Sequence, residues 1–281
     1  METIAIVGLG LIGGSFGLAM REAGFPGRIL GVSEPEYVRV ALDLGAITES
    51  ATLAQAAAQA DLIYLSQTVE RIRTTIEHLS SFTPLKCLVT DVGSTKRSIV
   101  QHAAKYLPES KFLGGHPMAG KETRGIQAAE ATLFRDRPYV LTSVTNTPLE
   151  SEFRVWLERL GARVVYLTPE QHDRAVAFTS HLPQLLSTAL AETLSREQNP
   201  DFLDVFGPGL IDMTRLALSS PDLWDSILKT NADEVACALQ AFSRTLTSLE
   251  TSSNQDNSSV HAAFAEAASF AKQLRDSKPQ R

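Results

Sequence analysis

The sequence has few of the features that announce a function on their own. Its 281 residues include only two cysteines, Cys87 in an apolar run and Cys237 in a helical pattern. That gives neither a disulfide framework nor a paired thiolate metal site, and it fits a reducing compartment. No apolar run approaches the roughly 18 residues that a membrane-spanning helix needs. Met1-Glu2-Thr3 leads into a strand pattern without a basic leader, so the expected location is cytoplasmic. Basic residues are scattered and outnumbered, 26 Lys and Arg against 32 Asp and Glu, which argues against a nucleic-acid or anionic-membrane surface. The six histidines show no ligand spacing, so no metal is expected. What remains is an ordinary globular composition, 43% hydrophobic and 21% charged, with a small molecule as the expected partner.

Against that plain background the N-terminus stands out. A β-branched run, residues 3–7, is followed by Gly8-Leu9-Gly10-Leu11-Ile12-Gly13-Gly14-Ser15 and then by helical periodicity through Phe16, Leu18, Ala19, Met20 and Ala23. In a strand-turn-helix context the glycine spacing has a mechanism. Gly8 makes the turn, Gly10 lets the backbone approach a pyrophosphate, and Gly13 lets the helix pack closely on the strand. The helix N-terminus, with Leu11 and Ile12 in its first turn, supplies N–H donors. A second strand, 29–32, ends at Ser33 and Glu34, about 20 residues past the glycines, where NAD-type sites place a carboxylate on the ribose. Ser33 tolerates a 2'-phosphate, but Glu34 and Glu36 repel one, so NAD is expected, with Glu34 replacing the missing aspartate. Arg39 keeps NADP open, and Ser33 and Glu34 can equally be plain turn residues.

Further along, an alanine-rich helical stretch (38–60, broken at 45–47) precedes a buried strand at 61–65. Its carboxyl end carries Ser66 and Thr68, placed to cover the ribose and nicotinamide of a dinucleotide. A helix at 70–79 and a strand at 85–90 bring the chain to Asp91-Val92-Gly93-Ser94-Thr95-Lys96. Ser94 reads either as a helix cap or as a substrate contact, and Lys96 as a solvated lysine. A strand over 111–113 then breaks into Gly114-Gly115-His116-Pro117-Met118-Ala119-Gly120, a tight loop that presents one imidazole. His116 is either a general base, with an ordinary pKa close to neutrality, or a polar strand-end residue. A short helix is expected at 122–130, a strand at 139–142, a helix at 148–160 and a strand at 162–167. The fold class is therefore an α/β Rossmann-type domain over 1–168, with a mostly parallel sheet whose late strands are free to reverse, followed by an all-helical dimerisation domain over 169–281.

In that helical part, residues 170–196 read as one long helix bent at Pro183, with His181 as an interior hydrogen-bonded histidine. Residues 206–209 form a loop, and Asp212 starts a short helix. Leu228, Val235, Leu239, Phe242, Leu246 and Leu249 make one apolar seam at heptad-like spacing, which can pack inside the domain or against a second subunit, and a homodimer is expected. A polar linker is expected at 251–258 and a last helix at 259–274.

Taken together, Gly8-Leu-Gly-Leu-Ile-Gly13-Gly14-Ser15, Asp91-Val-Gly-Ser94-Thr-Lys96, Gly115-His116-Pro-Met-Ala-Gly120, Ser180-His181-Leu-Pro183-Gln184 and Asp212-Met-Thr-Arg215 occur in the order seen in the prephenate and arogenate dehydrogenases of tyrosine biosynthesis. The chain resembles that family over nearly its whole length. The resemblance implies a Rossmann domain joined to a helical dimerisation domain and NAD(P)-dependent oxidative decarboxylation of a cyclohexadienyl substrate. It implies His116 as base, Ser94 orienting it or the substrate hydroxyl, and Arg215 clamping a substrate carboxylate, with Glu122, Ser180 and Gln184 lining the pocket. The chain departs from the family pattern at Gln184, where prephenate-preferring relatives often carry histidine, and at Pro208, Leu210 and Ile211. Two competing readings stand beside it: a reductase of the β-hydroxyacid dehydrogenase type on the same plan, and a non-catalytic NAD(P) sensor.

Overall fold

The computed structural model describes residues 1–82, 85–121, 123–142, 144–255 and 257–277. Its frame is an eight-stranded sheet of order β3-β2-β1-β4-β5-β6-β7-β8. The strands are β1 (Thr3–Val7), β2 (Arg28–Val32), β3 (Glu49–Ser50), β4 (Leu62–Leu65), β5 (Leu88–Asp91), β6 (Phe112–Pro117), β7 (Pro138–Thr142) and β8 (Arg163–Tyr166). Neighbours pair in parallel except β6 with β7, where His116 stands opposite Val140 in an antiparallel register. The expectation of a parallel sheet with late reversal is met.

Every residue of the central strands β1, β4 and β5 is buried because both sheet faces are covered. Ile4 and Ile6 point into one core with Phe16, Met20, Tyr64 and Phe153, while Ala5 and Val7 point into the other with Ile63, Leu65, Ile72, Ile76 and Val89. Helices α1 (Leu11–Glu22), α2 (Pro35–Asp43) and α6 (Pro148–Arg159) supply apolar side chains to the first core; α3 (Leu53–Gln59), α4 (Val69–Leu79) and α5 (Arg97–Tyr106) supply the second. Several starts are written locally. Thr52 with Gln55 and Thr147 with Glu150 form capping boxes at α3 and α6, each satisfying two otherwise orphaned amides.

Past β8 the chain is helical. Helix α7 (Pro169–Val176) begins at a Thr168–Gln171 capping box and passes into a π-helical turn at Ala177–His181, then α8 (Leu182–Glu197). The long helix expected at 170–196 is thus one run with a wide turn just before Pro183. A proline removes an N–H and crowds the preceding turn, and the π turn absorbs both without breaking the run. Helices α9 (Pro208–Thr214) and α10 (Pro221–Thr230) follow. By spatial compactness one unit runs from Met1 to Asn231 and a second from Ala232 to Arg281. The second contains α11 (Ala232–Gln255) and α12 (Asn257–Asp276), which pack on each other.

Some local expectations need correction. The two-residue β3 divides what reads as a helical stretch at 38–60. Only a 3-10 turn, Ile126–Ala128, stands in the described part of 122–130. Helix α9 starts at Pro208, inside the expected loop, and the polar stretch from Thr251 continues α11 through Gln255. The hydroxyls there find partners on the preceding turn: Thr245 Oγ1 donates to Ala241 O and Thr251 Oγ1 to Thr247 O. Among the described residues no helix is long and apolar enough to cross a membrane.

Candidate active site

The cofactor side is built from backbone. Gly8 sits at φ +95°, in the left-handed region, and its N–H donates to Val32 O at 2.9 Å, tying the turn to β2. A Cβ on Gly13 would collide with the carbonyl of Gly8, whereas one on Gly10 would meet nothing within 4 Å. The space before Gly10 is therefore open. No side chain caps α1 and no acidic residue occupies its first turn, so the amides around Leu11 and Ile12 face that space as anion donors. This arrangement fits a pyrophosphate. Ser33 and Glu34 are exposed beyond β2, and Thr68 is exposed at the start of α4. Ser66 has a use the sequence does not reveal: its hydroxyl donates to Gly8 O at 2.6 Å and holds the glycine turn against β4.

The proton-handling side is built from side chains on distant segments. Asp91, at the end of β5, is wholly buried; its Oδ1 accepts from Gly115 N at 3.1 Å and its Oδ2 from Gly93 N at 2.8 Å. Lys96 Nζ donates to Asp91 Oδ2 and, at 2.6 Å, to Gly115 O. Gly115 has no room for a side chain, since a Cβ would stand 2.6 Å from Asp91 O. The glycine before the histidine is thus clasped on its N–H and its carbonyl, which fixes the direction of His116.

Lys96 is the plainest correction to the sequence reading. It is fully buried rather than solvated, with burial lowering its pKa against the opposing pull of Asp91. Ser94 is half-buried and caps nothing; among the described residues its hydroxyl has no hydrogen-bond partner. The start of α5 is capped from outside, by Asp173 of α7, whose Oδ1 accepts from Lys96 N at 2.6 Å and Oδ2 from Arg97 N at 3.0 Å.

His116, half-buried near the end of β6, places its Nδ1 2.8 Å from Nε2 of His172. His172 is fully buried, and its Nδ1 lies 2.7 Å from Asp173 Oδ1. Burial, with the positive charges that His172, Lys96 and His181 would present, pushes the His116 pKa well below the ordinary histidine range. His116 is therefore neutral at pH 7, as a base must be. His172 is lowered chiefly by burial, against the Asp173 bond, and His181, the interior histidine expected, is lowered to about 4 by burial. His172 was not singled out in the sequence, where it sits in an unremarkable Gln171-His172-Asp173 triplet. Its only local signal is a carboxylate directly after a histidine.

The remaining expected residues sit on a neighbouring framework. Gln184 is buried on α8; its Nε2 donates to Leu216 O at 2.8 Å and to Thr188 Oγ1 at 3.3 Å. Ser187 Oγ accepts from Ala217 N at 3.0 Å. These bonds fasten the 3-10 turn Arg215–Leu218, at whose start Arg215 is exposed, to α8. Ser180 is half-buried in the π turn that joins the His172 helix to the Gln184 helix. Glu122 lies outside the described residues.

With this geometry in place, comparison with known proteins is informative. Residues 16–176 match the family model for the prephenate dehydrogenase nucleotide-binding domain, and residues 168–266 that for the prephenate dehydrogenase dimerization domain. A prephenate dehydrogenase of Bacillus subtilis is 33% identical over 91% of this chain and 71% of its own length. The chain belongs to the prephenate dehydrogenase family. Among solved structures, a prephenate dehydrogenase from A. aeolicus in complex with hydroxyphenyl propionate and NAD+ superposes with a TM-score of 0.85 at 32% identity, over 98% of this chain and 96% of that one. An arogenate dehydrogenase from Synechocystis gives 0.84 at 31%, over 97% and 99%. The resemblance carried by the five sequence motifs is thereby confirmed, and so is the Rossmann-plus-helical plan that it implies.

Proposed function

We propose that this member of the family oxidises and decarboxylates a cyclohexadienyl substrate, prephenate or arogenate, in tyrosine biosynthesis. The observation that carries the reading is His116: a neutral imidazole on β6, directly after Gly115, whose N–H and carbonyl are clasped by Asp91 and Lys96, in the same sheet as the strand that leads into the dinucleotide turn. It takes the proton of the ring hydroxyl as that carbon gives up hydride. The carboxylate on the opposite ring carbon then leaves as CO2, and its bonding electron pair enters the ring, which becomes aromatic. A nicotinamide dinucleotide, when bound, supplies the hydride acceptor, with Gly8, Gly10, Leu11, Ile12 and Gly13 seating its pyrophosphate. Ser94 orients the substrate hydroxyl or His116, Arg215 clamps a substrate carboxylate, and Ser180 lines the pocket.

The finer choices rest on two details. Gln184 gives its amide nitrogen to a carbonyl that can only accept, so what it offers in return is its oxygen. An acceptor suits the ammonium of arogenate and opposes the keto oxygen of prephenate, which favours arogenate. For the cofactor, Glu34 and Glu36 favour NAD. The second reading, NADP, has support in a cavity of about 510 Å³ beside α2 lined by Arg39 and Arg124 as well as Glu36 and Tyr37. The functional division stays at residues 168–169, and the enzyme is a cytoplasmic homodimer formed through the helical region, where Leu239, Leu246, Phe264 and Phe270 are exposed. Initial rates with the four pairings of prephenate or arogenate and NAD or NADP test the substrate and cofactor choices. Dominance of one pairing fixes both choices. Nicotinamide binding without turnover in any pairing moves the reductase and sensor readings to the front.

A further inference from the structure

The chain His116, His172, Asp173 has a direction, and the direction decides which nitrogen of His116 does the work. Asp173 accepts two backbone amides, from Lys96 and Arg97, and so meets His172 Nδ1 as a hydrogen-bond acceptor. His172 Nδ1 must then carry a proton. Burial keeps His172 neutral at pH 7, so its Nε2 has no proton and can only accept. The group 2.8 Å away, His116 Nδ1, must therefore be the donor, and the bare nitrogen of His116 is Nε2.

We propose that His172 and Asp173 are positioning residues: they lock His116 in the Nδ1–H tautomer, leave Nε2 as the proton acceptor, and hold the imidazolium that forms when the substrate hydroxyl is deprotonated. The inference rests on the reading of His116 as the base. In the step itself the hydroxyl O–H bond breaks and an N–H bond forms at Nε2. No proton need leave Nδ1, whose hydrogen bond to His172 strengthens as His116 becomes cationic. Asp173 contributes through His172, and is itself pinned by Asn231, whose Nδ2 donates to its backbone carbonyl at 2.8 Å. The arrangement also joins the two parts of the sequence, since β6 brings the base and α7, beyond the last strand, brings its orienting pair. The charged and titratable groups facing the pair are Asp91 and Lys96 from the β5 edge, Arg97 of α5, and His181 from the π turn.

Two experiments test it. In the unmodified protein, nitrogen-15 NMR of the histidines near neutral pH should show His116 with a protonated Nδ1 and a bare Nε2; the opposite tautomer overturns the proposal. In kinetics, His172→Phe keeps a ring of similar volume but offers no acceptor, and His172→Gln restores an acceptor at the place of Nε2. His172→Phe should lower kcat by about a hundredfold while KM and dinucleotide affinity stay within about threefold. His172→Gln should recover about a tenfold part of the loss. Unchanged kcat in His172→Phe, or no recovery in His172→Gln, overturns the relay. His116→Asn, measured alongside, separates the two levels. If it lowers turnover by orders of magnitude while His172→Phe leaves kcat unchanged, only the relay fails. If His116→Asn turns over normally, the base assignment fails and the relay with it.

Discussion

The two edges of this active site are made differently. The dinucleotide turn is a local object: Gly8, Gly10 and Gly13 lie within one strand-turn-helix unit, and their spacing alone says what each does. The base and its supports come from three places, Asp91 and Lys96 around the end of β5, His116 on β6 and His172 with Asp173 on α7. The first edge works through backbone amides that no substitution other than proline can remove. The second works through side chains in a low-dielectric interior, where each group depends on a partner. The contrast predicts that steric changes are what damage the cofactor edge, and deletion of a single polar atom what damages the other.

The largest effect is expected at the base. His116→Asn should lower turnover by about 10²- to 10⁴-fold, with dinucleotide affinity by calorimetry nearly intact; retained turnover would remove His116 from the chemistry. Next comes Gly13→Val, which drives a side chain into the Gly8 carbonyl and Ser66. It should abolish dinucleotide binding, whereas tight binding would show that the turn is looser than its packing implies. Lys96→Met leaves Asp91 buried without its cation and should lower unfolding stability by about 3–5 kcal/mol, read by denaturant melts; a change confined to activity would give Lys96 a chemical role in place of a structural one. Arg215→Ala should mainly raise the substrate KM, and an unchanged KM would return Arg215 to the surface.

The smallest effect is in pH. His116, His172 and His181 all have native pKa values below the ordinary histidine value of 6.5, so the unfolded chain binds protons that the native state refuses. Their contribution to stability is complete above about pH 6.5 and declines as pH falls; for His181 the decline runs on to about 4. A denaturation midpoint that is flat over this range would mean that these rings are better hydrated than their burial indicates. Activity should follow the same sense, with the acid limb of kcat/KM below 6.5, because the base works only when neutral.

Most of the frame was legible beforehand because it is periodic. Alternating apolar strands, helical spacing and glycine turns are short-range patterns, and the sheet with its late reversal followed from them. What escaped was either too short or too cooperative for a pattern: the two-residue β3, the π turn ahead of Pro183, and the helical continuation of the polar stretch at 251–255. Ser94 shows the limit well. A serine just before a helix reads as its cap, yet Asp173, far along the chain, takes that place.

The sequence by itself determined the chemistry on offer: a dinucleotide turn, one imidazole on a glycine-rich strand end, a guanidinium and an amide downstream, in an order found in one enzyme family. Those are statements about residue type and local spacing, which the covalent chain carries directly. Only the tertiary structure decided which groups are ionised, which are buried and which way they point. Lys96 became a buried clasp, Gln184 a donor to the Leu216 carbonyl and His172 the partner of His116, because desolvation and hydrogen-bond pairing depend on neighbours brought from far along the chain.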